Sequence, residues 1–242
     1  MTALTLECQA LRKDYGSDHA LHGLTLSVRP GEIHAIVGLN GAGKTTLMRA
    51  ITGMTSLDSG HLAVLGAANP GSDTWRRVGH MVEHPFAYPE LTARENLTIS
   101  TRLHGHEKHD ASRLASTWLE RFALDRWADR RSRELSLGNR QRLGLAAALC
   151  HHPEFVVLDE PSNALDPAGV VILRDAIVEG AAAGAGVLVS SHHLDEVARI
   201  AHSISVIHAG HVVGTLAPGG RDLEHAFFTM VHDYDAQQGG TP

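Results

Sequence analysis

Residues 38 to 46 read GLNGAGKTT, a run of glycines closed by a lysine and two hydroxyls. Such a set suits phosphate, because glycines let the backbone wrap closely around an anion. The amides of Gly41, Ala42, Gly43, Lys44, Thr45 and Thr46 would then point inward, with Gly38, Leu39 and Asn40 forming the approach. A helix beginning near Lys44 would add the positive end of its dipole. Lys44 is expected to reach the β- and γ-phosphates, Thr45 to offer its hydroxyl to magnesium, and Thr46 to bond a more distant phosphate. The chain has only three lysines, Lys13, Lys44 and Lys108, and one stands where the loop needs it. The rival reading, a plain glycine-rich turn, leaves the strand before the loop and the helix after it unexplained.

A second stretch, FVVLDEP (155–161), is an apolar run ending in two carboxylates. Asp159 at the strand end is expected to hold the shell of a magnesium ion, usually through water. Glu160 is placed to orient or deprotonate a water attacking a γ-phosphate. Taken alone, the stretch is equally a buried strand with polar residues at its exit. Following a phosphate loop, it reads as the other half of a site for ATP and Mg2+.

These residues need elements to hold them. LTLSV (24–28), EIHAIVG (32–38), HLAVLG (61–66), FVVLDEP, GVLVSSH (186–192) and SISVIHAG (203–210) read as short strands, and KTTLMRAITGM (44–54) as a helix. Short apolar runs with helices between them suit buried parallel strands, so the fold class is α/β. Between residues 85 and 152 the pattern turns helical, with apolar residues at helical spacing over 92–105 and 111–127. We read 1–84 and 153–218 as an α/β core, 85–152 as an inserted helical subdomain and 219–242 as a C-terminal tail. Within that tail 223–231 is expected to form a last helix, and QQGGTP (237–242) to be disordered. No internal repeat or low-complexity tract is visible.

Composition narrows the function classes. The 242 residues are 43% hydrophobic and 20% charged, ordinary for a globular chain, and no segment approaches a membrane span. The net charge of −6 leaves no electrostatic footprint for nucleic acid, so no nucleic-acid partner is expected. Cys8 and Cys150 are too few for a disulfide framework, and the N-terminus has no secretory pattern, which together point to the cytoplasm.

The ordered set of motifs resembles the ATP-binding proteins of ABC transporters. RELSLGNRQRLGLAAAL (133–149) looks like that family's signature helix, SNALDP (162–167) like its D-loop, VLVSSHHLDEV (187–197) like its switch-histidine segment, and LRKDYG (11–16) like the segment that sets an aromatic against adenine. The resemblance spans roughly residues 3 to 215. It implies a RecA-like P-loop NTPase core with a mostly parallel sheet, an antiparallel β region and the inserted helical subdomain. It also implies two such subunits, here expected to be a homodimer, closing head to tail around two ATP molecules. By resemblance, Tyr15 would stack on adenine, Ser136 and Gly138 would contact the γ-phosphate of the other subunit, and Asp166 would support the opposite site. His192 would bond the γ-phosphate and help Glu160 fix the water. A separate integral membrane permease is implied as partner, holding the chain at the inner face of the cell membrane. A groove lined by residues around 83 to 105 would receive a helix from it.

Two departures from the family pattern stand out. The signature reads L-S-L-G-N, with Leu137 for a glycine and Asn139 for a glutamine; Leu137 is expected to pack rather than project at the ligand. Glu83 in RVGHMVEHPF (77–86) stands where the family has a glutamine at the metal or attacking water, and is read as a metal-site residue. Glutamate there, with SLGNRQRLG (136–144), looks most like the bacitracin, lantibiotic and drug-export branch. A soluble ABC-type ATPase acting on ribosomes or DNA and a small-molecule kinase are the competing readings. The first lacks a paired ATPase domain or long coiled coil; the second leaves the signature, D-loop and switch histidine without a role.

The remaining features have plainer readings. HGHEKHD (104–110) is weighed as a metal site against a solvated loop, and the loop is favoured because no partner cluster or cysteine stands near in sequence. His151 and His152 are read as polar or cationic residues suiting a helix end. RWADRRSRE (126–134) reads as an ion-paired surface, and Trp118, Leu119 and Phe122 as core of the helical lobe. Phe86 and Tyr88 flank the lobe junction and are weighed equally between packing and facing a partner.

Overall fold

The computed structural model describes residues 4–220 and 222–239. Two strands open the chain, β1 (Leu6–Tyr15) and β2 (Asp18–Val28), followed by β3 (Ile33–Val37), α1 (Lys44–Ile51), β4 (Ser59–Val64), a short α2 (Ser72–Trp75) and β5 (Val78–Met81). The helical stretch holds α3 (Ala93–Leu103), α4 (Lys108–Arg121) and α5 (Leu137–Leu149). The chain then returns through β6 (Phe155–Leu158), α6 (Pro167–Ala182), β7 (Gly186–Ser191), α7 (Leu194–Ala198), β8 (Ser203–His208), β9 (His211–Leu216) and α8 (Leu223–Gln238).

The strands form two sheets. One has the order β2-β1-β4 and is antiparallel; the other runs β5-β6-β7-β3-β8-β9, parallel throughout except for β9. All residues of β3, β6 and β7 are buried, which is why those strands read as unbroken apolar runs. Strand β1 was not evident from alternation. Bulges between Cys8 and Leu11 break its period, and Ala10 lies in the left-handed region at φ 49°.

Helix α1 lies between the sheets. Its Leu47, Met48 and Ile51 join Leu6, Cys8 and Leu11 of β1, Ile36 of β3, Phe155 of β6 and Ile207 of β8 in one buried cluster. The helix that carries Lys44 and Thr45 is thus clamped on both sides. It stops at Ile51, three residues short of the expected end, as Gly53 turns at φ 73°. A second cluster joins the other face of the parallel sheet to the helical stretch, with Trp118, Leu119 and Phe122 buried in it.

Two further expectations need correction. The helix expected over 111–127 ends at Arg121, because Ala123 takes a left-handed φ of 53°; a separate single turn covers Asp125–Trp127. Gln237 and Gln238, expected to be disordered, belong to α8, which Phe227 and Val231 anchor one turn apart in the main core. Residues 240–242 of that expectation lie outside the described residues. Helix α3 begins with a reciprocal capping box, in which the Glu95 amide donates to Thr92 Oγ1 at 3.1 Å and the Thr92 amide to Glu95 Oε2 at 2.8 Å. Among the described residues no helix is long and apolar enough to cross a membrane.

Candidate nucleotide site

Strand β3 delivers the chain into the glycine loop at Gly38, and the loop is shaped by close approach of other backbone. A Cβ on Gly38 would lie 2.2 Å from the Ile207 carbonyl oxygen, and one on Gly43 2.4 Å from that of Ala20. Gly43 also sits at φ 107°, a conformation that side chains rarely adopt. The Gly210 amide donates to the Ala42 carbonyl at 3.0 Å, tying the loop to the β8–β9 turn. Gly43→Ala is therefore expected to destabilise the fold by about 2 kcal/mol or more. Urea denaturation checks this; an unchanged midpoint would show that the loop can relax away from β2.

Lys44 is only 7% exposed, and its Nζ donates to the Gly38 carbonyl at 2.7 Å and the Leu39 carbonyl at 3.3 Å. Burial lowers its pKa, against the opposing pull of the Glu160 and Asp159 carboxylates. Thr46 follows on the same helix, half-buried, while Leu39, Asn40 and Gly41 are exposed.

Asp159 follows the end of β6, buried, with both carboxylate oxygens engaged. Thr45 Oγ1 donates to Oδ2 at 2.8 Å and Ser190 Oγ to Oδ1 at 2.5 Å. Glu160 follows at φ 46°, a strained conformation for a non-glycine residue. Its amide donates to Ser190 Oγ at 2.8 Å, and its Oε2 accepts from the His192 amide at 3.2 Å and pairs with His192 Nδ1 at 2.7 Å. Leu39, Asn40, Glu160 and His192 line one cavity of about 530 Å3, with Phe228 of α8 on its wall. The Thr45 hydroxyl and Asp159 carboxylate are hard oxygen donors side by side, the kind magnesium takes.

Glu83 lies beyond β5 at φ 65°, and its carboxylate is held on α1. Arg49 Nη2 donates to Oε1 at 2.6 Å and Arg49 Nε to Oε2 at 3.1 Å. Arg49 thus engages both oxygens of the Glu83 carboxylate. Tyr15 ends β1 half-exposed, its hydroxyl 3.3 Å from Thr55 Oγ1 and its ring under Lys13.

The signature residues sit on α5. Ser136 caps the helix, its Oγ accepting from the Asn139 amide at 3.2 Å. Leu137 is 60% exposed, so the expectation that it packs is overturned. At the first turn it faces outward, while Leu143 and Leu145 further along take the buried side. Gly138 touches the D-loop, where a Cβ would come within 2.9 Å of the Ala164 carbonyl oxygen. The Asp166 carboxylate accepts from the Gly169 amide at 2.8 Å, capping α6, and pairs with Arg142. These bonds hold its pKa below the usual carboxylate range, the Gly169 amide first and the Arg142 guanidinium second. The structure thus gathers Lys44, Thr45, Asp159, Glu160 and His192. Ser136, Gly138 and Asp166 instead meet residues of α5, α6 and the D-loop.

Four residues of this arrangement escaped the sequence reading. Ser190 bridges Asp159 and Glu160, and its only signal was a polar pair inside an apolar strand. Arg49 has no motif of its own. Gln141 donates to the Pro161 carbonyl at 3.0 Å and Arg142 pairs with Asp166, so α5 supports the segment after Glu160, while Arg142 also donates to the Phe122 carbonyl at 3.0 Å at the end of α4. His151, read as suiting the helix dipole, is buried; burial and the neighbouring His104 push its ring to about 3, so it carries no charge there.

The pattern of the ABC transporter family matches residues 21–163. The chain belongs to that family. It is an ATP-binding, ATP-hydrolysing subunit related to export proteins. It is 34% identical over 227 residues to the lantibiotic transport ATP-binding protein SrtF of Streptococcus pyogenes, covering 93% of this chain and 97% of SrtF. It is 37% identical over 203 residues to the bacitracin transport ATP-binding protein BcrA of Bacillus licheniformis, covering 83% of this chain but 65% of BcrA. A solved ATP-binding subunit of an ABC transporter superposes with a TM-score of 0.83 at 30% identity, covering 95% of each chain. The ABC fold accounts for the pairing of a mostly parallel sheet with an antiparallel one.

Proposed function

We propose that this chain powers a separate membrane permease that exports a drug, peptide antibiotic or similar compound. The observation that carries the reading is the joint placement of Lys44, Thr45–Asp159 and Glu160–His192 at the mouth of one loop. Gly38 to Thr46 bind the ATP phosphates, with the Lys44 ammonium exchanging its loop carbonyls for the β- and γ-oxygens. Tyr15 stacks on the adenine. Thr45 and Asp159 hold magnesium, which neutralises charge on the phosphates when bound. Glu160 takes the proton of the attacking water as its oxygen bonds to the γ-phosphorus and the β–γ bridge breaks, leaving ADP and phosphate. His192 orients both Glu160 and the γ-phosphate. Ser136 and Gly138 of a second copy close the site, and Asp166 braces the D-loop between the two.

In this reading 1–84 and 153–218 form the catalytic core, 85–152 the helical subdomain and 219–242 the tail. The permease docks in a groove between core and subdomain and keeps the chain at the inner membrane face. The test is phosphate release from ATP by the purified chain, alone and with its permease in detergent. Absence of magnesium-dependent release in both would sink the reading.

Glu83 is assigned to the metal site or to tuning of coupling, and it has to leave Arg49 to reach the metal. An exposed ion pair of this kind contributes only about 0–1 kcal/mol to stability. Glu83→Gln is therefore expected to leave the unfolding midpoint nearly unchanged. The magnesium concentration for half-maximal turnover, or the stimulation by permease, should shift by roughly threefold or more. If neither moves, Glu83 is a surface residue.

A further inference from the structure

The parallel register of the sheet brings three strand ends together. Leu158 of β6 stands beside Val189 of β7, and Ile36 of β3 beside Ser190. Asp159, the residue after β6, therefore comes level with Ser190 where the glycine loop begins. Ser190 is fully buried, and Val187, Leu188 and Val189 before it on the strand are apolar. A hydroxyl in such a place needs partners, because an unpaired polar group in a dry core is unfavourable. It finds them outside its own strand. Its proton goes to Asp159 Oδ1 at 2.5 Å, the short distance expected when the acceptor is a carboxylate. Its oxygen accepts from the Glu160 amide at 2.8 Å. One group must both donate and accept here; alanine does neither, and an ionised carboxylate has no proton to give.

Glu160 needs this hold. Its left-handed φ of 46° persists only where the surroundings over-determine it. Ser190 takes its amide, the Asn163 amide donates to its carbonyl at 3.2 Å, and His192 Nδ1 lies 2.7 Å from its Oε2. Ser190 and His192 are two residues apart, so the end of β7 holds both the backbone and the side chain of Glu160. Ser191 between them bonds its own turn instead, its Oγ accepting from the His193 amide at 2.9 Å. Asp159 is anchored in turn on its other oxygen by the Thr45 hydroxyl at 2.8 Å.

We propose that Ser190 is a positioning residue for hydrolysis, its hydroxyl fastening the Glu160 backbone to the Asp159 carboxylate and so aiming the base at the attacking water. The inference rests on the reading above of Glu160 as general base, and adds the residue that sets where that base stands. A serine that only fills the core could be replaced by any group of its size. Ser190 can be replaced only by a group that brings the same proton and the same lone pair.

The experiment compares the full chain with Ser190→Ala, Ser190→Cys and Ser190→Thr in steady-state hydrolysis of ATP with magnesium. Ser190→Ala is expected to lower kcat by about 10–100-fold, the usual loss when support of a metal-site carboxylate is removed, with KM changed by less than about threefold. Affinity for a fluorescent ATP analogue in EDTA should stay at the parent value. Ser190→Thr, which keeps the hydroxyl, should recover kcat to within about threefold of the parent. A merely structural role predicts the reverse order, because threonine adds a methyl to a packed core. Should Ser190→Ala fail to fold, Ser190→Cys decides, since a weak thiol donor of similar shape is expected to lose about tenfold. In the Glu160→Gln background Ser190→Ala should cost less than about threefold more, as residues acting as a unit are non-additive. A kcat at the parent value in both Ala and Cys variants, a threonine variant no better than alanine, or an equal loss in both backgrounds overturns the proposal. If Glu160→Gln itself keeps the parent turnover, the reading of Glu160 falls and the proposal with it. A silent Ser190→Ala beside a crippled Glu160→Gln removes the proposal alone.

Discussion

Lys44→Ala is expected to abolish phosphate release, lowering single-turnover hydrolysis by about 10²–10³-fold, the loss seen when one preorganised stabilising group is removed. The Lys44 side chain is buried, and its ammonium already lies across the loop, 2.7 Å from the Gly38 carbonyl. Alanine would also leave the loop carbonyls of Gly38 and Leu39 without a donor and Asp159 and Glu160 without a nearby cation. Lys44→Arg is the informative control. It keeps the charge but replaces a compact ammonium by a larger planar guanidinium, which cannot reproduce the short bond to the Gly38 carbonyl in the same place. Turnover within about threefold of the parent in Lys44→Ala would remove the loop from the mechanism.

Glu160→Gln is expected to trap ATP between two copies of the chain, slowing hydrolysis by about 10²–10⁴-fold as the general base is lost. Glutamine matches glutamate in size, and the Glu160 backbone is held independently of its side chain by the bond from its amide to Ser190. The variant therefore keeps the left-handed turn at φ 46° and the shape of the site. What disappears is the negative charge and the basic oxygen, while an amide oxygen can still accept from the His192 amide and ring. Sedimentation at saturating ATP and magnesium should show a dimer for Glu160→Gln and a monomer for the parent once ATP is spent. A variant that stays monomeric would count against the head-to-tail closure. Ser136 and Gly138 would then lose their assigned role toward the phosphate.

Much of the site was legible because its chemistry is local. Glycines, lysine and hydroxyls within nine residues carry their own spacing, and a strand ending in Asp159–Glu160 announces itself by polarity. Strand β1 was not legible, since bulges between Cys8 and Leu11 break the alternation that marks a strand. Strands β5 and β9 are four and six residues long and owe their existence to pairing with β6 and β8. Helix α8 outlasted its periodic stretch because Phe227 and Val231 found a core to enter.

By itself the sequence determined the α/β class, the family and the position of the glycine-rich loop and of the Asp159–Glu160 pair, because each is written in residues close together along the chain. Only the tertiary structure decided which side chains those residues meet. It set Glu83 on Arg49, joined Asp159 to Glu160 through Ser190, turned Leu137 outward and buried His151 against His104. These partners are brought together by long-range packing between elements far apart in the chain. Their spacing in sequence carries no period from which such contacts can be read.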